Sequence, residues 1–156
     1  MEITALIISI LALGLSLFQF IRDASRQKKE ATLNAYNILQ DDAFSYLKEL
    51  PKEKLDPPPQ YHSPEYNRIT NYLAKIEIFS TGINTGIYSI WILNRLSGAF
   101  FIHQFDRLTA IINEKRKEDR VKGKHYNEFE NTVKKLKRIR QMNDWINKIT
   151  RTGGAK

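Results

Sequence analysis

The sequence predicts an all-α protein, with a single N-terminal transmembrane helix that continues into a cytoplasmic helical bundle. Three observations predict it. The first long stretch carries no charge for nineteen residues, apolar residues then recur at three- and four-residue spacing, and no strand-like alternation persists anywhere.

The membrane anchor is assigned to residues 1–21. The stretch from Ile3 to Ile21 contains twelve Ile, Leu or Phe among its nineteen residues. As a helix it spans about 28 Å, close to the roughly 30 Å hydrocarbon core of a bilayer. A cleaved signal peptide would want a basic leader, whereas the only charge ahead of this stretch is Glu2. Arg22, Arg26, Lys28 and Lys29 follow it. Basic residues on that flank orient it toward the cytoplasm, leaving the N-terminus outside.

Residues 22–50 read as a juxtamembrane helix, free of Gly and Pro and stopped by Pro51. Tyr36, Leu39, Ala43, Tyr46 and Leu50 step 3-4-3-4, the spacing of a helical seam. Such a seam packs on its own domain or pairs with a second copy. Residues 51–63 form a Pro-rich linker whose Pro57-Pro58-Pro59 run favours extended geometry, so it reads as a spacer.

Residues 64–150 form the cytoplasmic helical domain. Ser63 caps its first helix and Pro64 opens it. Tyr66, Ile69, Leu73, Ile76 and Ile83 mark the buried face, and the glycines of GINTG end the helix. A short apolar helix over 89–96 is expected to stop at Gly98, followed by one carrying Phe101, Phe105, Leu108 and Ile112. The last helix runs from about Tyr126 to Ile149, with Phe129, Val133, Leu136, Ile146 and Ile149 as its apolar stripe. Tyr126 and Trp145 are read as packing residues with that stripe, and residues 151–156 as a disordered tail.

The central stretch Ile78–Leu93 is uncharged for sixteen residues, which raises the question of a second crossing. Its helical length would be about 24 Å, short for a span, and extension would bury Arg95. A second crossing would also put the basic C-terminal region outside, against the positive-inside bias. Residues 22–113 carry eleven Lys/Arg and ten Asp/Glu, but residues 114–156 carry fourteen and six. The stretch is therefore read as a soluble core.

Asn71, Tyr72, Glu77, the segment GINTGIYS and the aromatic-rich run through Phe105 resemble a family of small bacterial proteins known as a domain of unknown function. The resemblance spans Asn67 to about Arg116. It implies one N-terminal membrane helix with a helical cytoplasmic domain, in a bacterial inner membrane, and brings no activity with it.

The chain has no cysteine, which excludes disulfides and thiolate chemistry. His62, His103 and His125 share no helix turn with one another, and neither a phosphate-binding loop nor a nucleophile elbow is present. Glu77 and Asp106 are a pair of carboxylates that could converge; the stronger alternative is one buried carboxylate paired to Arg95 or Arg107, holding helices together. No cofactor or metal is expected, and the chain reads as a non-enzyme.

On the last helix, Lys134, Lys137 and Arg138 share one face by i, i+3, i+4 spacing, with Lys135 turned aside. They are the candidate anion-binding residues, for anionic lipid, nucleotide or nucleic acid. The expected function is a membrane-tethered interaction or regulatory module that binds a protein partner or itself at the inner leaflet. The alternative is a membrane effector triggered by a nucleotide or other anion, of the antiphage-defence type.

Overall fold

The computed structural model describes residues 2–118 and 125–152. Helix α1 (Glu2–Leu39) runs into a π-helical turn (Gln40–Phe44) and then α2 (Ser45–Glu49), making one rod. Helices α3 (Pro64–Asn84) and α4 (Ile90–Glu118) pack against the lower part of that rod, and α5 (Asn127–Thr152) packs on α3 and α4. No strand occurs among the described residues.

The rod divides by chemistry. Through Ile21 its large apolar side chains are all exposed, whereas Tyr36, Leu39, Ala43, Phe44, Leu47 and Leu50 are buried in the domain core. The lower half of the rod is thus part of the domain, and its seam packs within the chain. The seam also differs from the spacing expected: Leu47 is buried and Tyr46 only half-buried. The π turn explains the shift. A π turn holds more residues than an α turn, so the buried face after Ala43 arrives one residue later. Tyr46 lies instead against Tyr72, ring centroids 5.0 Å apart, under the Arg68 guanidinium.

The Pro-rich segment is more than a spacer. Its Leu55 is fully buried, and a 3₁₀ turn at Lys52–Lys54 brings it there. Ser63 caps α3 as its sequence predicts, accepting from the Tyr66 N–H at 3.1 Å. Asn84 ends α3, and Gly86 follows in the left-handed region at φ 83°. Gly82 has a separate role. The Tyr88 ring covers its Cα so closely that a Cβ there would meet ring carbons at 2.4 Å. That ring stacks on Phe79 with centroids 5.3 Å apart. The two glycines therefore serve a cap and a ring seat.

Helix α4 contains the expected break, but at Ser97 rather than Gly98, where the backbone leaves helical geometry (φ −159°, ψ 29°) before the helix resumes. Arg107 reaches across from α4 to the end of the rod, donating to the Leu47 carbonyl at 3.2 Å and to that of Leu50. It satisfies carbonyls that the ending helix leaves open. The core closes with edge-on aromatic contacts, Phe101 to Phe129 and Phe105 to Phe129, each at 5.0 Å.

Along α5 the stripe holds only as far as Leu136. Phe129, Val133 and Leu136 are buried, but Met142, Trp145, Ile146 and Ile149 are exposed. The helix outruns α3 and continues as an overhang through Thr152. Of the expected disordered tail, 151–152 are helical and 153–156 lie outside the described residues.

Candidate functional site

Helix α5 starts where Glu77 of α3 holds it. The Glu77 carboxylate accepts from the Glu128 N–H at 2.9 Å and the Phe129 N–H at 2.7 Å. An anion at a helix N-terminus satisfies open donors and complements the helix dipole. Asn84 ties the same turn, donating to the Glu128 carbonyl at 2.9 Å and its carboxylate at 2.7 Å. Asp106 pairs with Lys137 at 3.2 Å. The two carboxylates therefore do not converge, and among the described residues neither pairs with Arg95 or Arg107; each binds α5 in place.

These contacts fix the direction of the basic face. Lys137 faces α4, while Lys135 donates to Asn84 Oδ1 at 2.8 Å on the α3 side. Lys134, Lys135 and Arg138 share a groove of about 220 Å³ with Asn84, Glu128 and Asn131. The structure thus splits the triad expected from spacing: Lys134 and Arg138 stay together, Lys137 leaves, and Lys135 takes its place. The cause is that α3 covers one flank of α5 and α4 the other, which spacing on a single helix does not encode.

The groove is partly neutralised. Lys134 pairs with Glu130 at 2.7 Å, and Arg116 holds the other Glu130 oxygen at 2.8 Å. Hydrogen bonds from Lys134 and then Arg116 hold the Glu130 carboxyl below the usual carboxylate range. Arg138 makes no ion pair with any described residue. Midway along the rod, Arg22, Arg26, Lys28 and Lys29 of α1 meet Ser89 and Ile92 around a cavity of about 360 Å³. Ser89 is anchored there by its N–H, which donates to Thr32 Oγ1 at 2.8 Å.

A second surface is apolar. Ala35, Ile38 and Leu39 of α1 face Ile78 and Phe79 of α3, with Tyr88, across a groove of about 330 Å³. Ile38 is 71% exposed and Ile78 72%, so both leave most of their apolar surface to solvent. Sequence reading misses them because each falls off the buried stripe of its own helix; only the packed pair shows that they meet at one groove. The histidines do not gather. His103 is exposed, His62 lies tilted against the Tyr61 ring, and no group of three metal-ligating side chains occurs among the described residues.

A family model described as a domain of unknown function, DUF4760, matches residues 6–136. The chain is a member of the DUF4760 family. The match runs from the apolar part of α1 to Leu136, so it covers both rod and bundle. No curated protein and no solved structure matches this DUF4760 chain.

Proposed function

We propose that this DUF4760 protein is a membrane-tethered, non-enzymatic interaction module whose helical domain lies at the cytoplasmic face of the membrane. The observation that carries the reading is the rod. All twelve Ile, Leu and Phe between Ile3 and Ile21 are exposed, by 52–75%, on the same continuous helix whose lower half is locked into the core. Water does not tolerate an apolar face of that extent, whereas a bilayer requires it. Among the described residues this is one helix long and apolar enough to cross. The basic cluster that follows favours a cytoplasmic domain.

The module offers the Ile38–Ile78 groove, about 25 Å along the rod from Ile21. A protein partner or a second copy seats on it. Both catalytic-type carboxylates are engaged in holding α5, which supports a non-enzymatic role. The test is the size of the full chain in nanodiscs: a complex larger than one chain, or a crosslinked partner in cells, should be lost in Ile38→Asp/Ile78→Asp. Retention of the complex in that variant would refute the groove.

A second reading, an anion-triggered effector, draws on the groove of Lys134, Lys135 and Arg138. Its test is the triple Gln variant, which should weaken salt-dependent binding of a nucleotide or oligonucleotide by the full chain. Absence of binding by the unaltered chain would remove this reading.

A further inference from the structure

The C-terminal overhang of α5 has a fixed direction. Helix α3 runs antiparallel to the rod: Tyr72 meets Tyr46, Lys75 meets Asp42, and Phe79 meets Tyr36. Helix α5 runs parallel to α3, since Glu77 binds Phe129, Ser80 meets Thr132 and Asn84 meets Lys135. So α5 travels back toward the end of the bundle from which the apolar part of α1 projects. Just past Asn84, the turn that leads into α4 is pinned to Thr32 through Ser89.

Lengths decide how far it reaches. From Lys135 to Thr152 the helix covers about 25 Å, and from Thr32 back to Ile21 the rod covers about 17 Å. Even at a substantial tilt, the overhang arrives at the level where the uncharged stretch of α1 begins. There it presents Met142, Trp145, Ile146 and Ile149, spaced i, i+3, i+4, i+7 on one face and 44–64% exposed. Arg138, one turn before Met142 on the same face, and Lys148 beside it flank that stripe. On α4, Trp91 is 53% exposed, one turn before Asn94, which lies beside Gly98 on the side facing Arg140.

We propose that the overhang of α5 is a second membrane contact, seating its Met142–Ile149 stripe in the headgroup layer of an anionic bilayer. This rests on α1 being the tether. Trp favours the headgroup level, and flanking cations complement anionic lipid. A second copy is the poorer occupant. Four partly exposed side chains fall well short of the roughly 800 Å² per partner of a stable protein interface. Held at two points, the domain has a fixed orientation on the membrane, which determines whether the Ile38–Ile78 groove faces lipid or cytosol.

The test uses the full chain in vesicles of phosphatidylcholine and phosphatidylglycerol. The chain has two tryptophans, so Trp91→Phe leaves Trp145 as the sole reporter. Its emission should shift to the blue and be quenched by lipids brominated near the headgroup. Ile146→Asp/Ile149→Asp, in the same background, should abolish the quenching while the chain stays in the membrane through an alkaline wash. Quenching of Trp145 by aqueous iodide but not by bromolipid would overturn the proposal, as would shielding from both quenchers, the outcome of pairing with another copy. Loss of the chain in the alkaline wash would instead overturn the tether, and the inference with it.

Discussion

The Glu77 carboxylate binds the first turn of α5 through the Phe129 N–H at 2.7 Å, joining residues 52 apart in sequence. Glu77→Gln keeps an acceptor but loses the charge and one of the two acceptor oxygens. A charged hydrogen bond of this kind contributes about 1.5–3 kcal/mol. The urea midpoint of the variant should fall accordingly, and hydrogen exchange should speed up first at the α5 N-terminus. Unchanged exchange there would mean that α5 is held by its apolar stripe alone.

Gly82 tests the ring seat. Gly82→Ala places a methyl against the Tyr88 ring, and overpacking of this kind costs about 1–3 kcal/mol. Adding Tyr88→Ala to that background should cost less than it does in the unaltered chain, because the clash has already displaced the ring. Strict additivity of the two changes would contradict the contact.

The π turn makes a register prediction. Leu47→Ala should cost about 2–5 kcal/mol, as for a fully buried leucine. Tyr46→Ala should cost much less, since Tyr46 sits at the margin of the core. Thermal unfolding of both variants checks this, and the reverse order would restore the uniform α-helical register.

Much of this fold is legible in the sequence. Ser63-Pro64 marks the start of α3 because capping is local chemistry, and the buried face of α3 follows from period 3.6 alone. The unread parts are those set by distant neighbours. Nothing in QDDAF announces a π turn, so Tyr46 is read in place of Leu47. Lys137 and Lys135 exchange roles because α3 and α4 lie on different sides of α5. Trp145 and Ile146 are read with the core stripe, yet Trp145 lies nine residues past Leu136, half a turn round the helix, so they belong to a separate, exposed face. Periodicity identifies an apolar face without saying what covers it.

The alkaline limb of stability should depend on Tyr126. Burial, with a smaller contribution from the nearby Glu77 charge, pushes its phenol from 10.0 up to about 12. The folded state thus favours the neutral phenol, while the unfolded chain ionises from about pH 10. Stability from this residue is full below pH 10 and is lost as the pH rises toward 12, by on the order of 1–2 kcal/mol. Tyr126→Phe should flatten that part of the stability–pH curve. Its hydroxyl contact to the Thr70 carbonyl is long, at 3.5 Å, so the loss at neutral pH should be small. A curve of unchanged slope would assign the alkaline loss to other groups. Glu130 acts at the other limb: its lowered pKa gives stability that is lost as pH falls below its ordinary value of 4.5.

The central claim is a membrane tether with the bundle on the cytoplasmic side, and the absence of native cysteine allows it to be tested with one introduced thiol. Gln60→Cys places that thiol on the exposed loop before α3. In intact cells, a membrane-impermeant maleimide should leave the full chain unlabelled, and lysis should allow labelling, with the chain staying in the membrane pellet through an alkaline wash. Labelling of intact cells would put the bundle outside, and recovery of the chain in the soluble fraction would remove the tether.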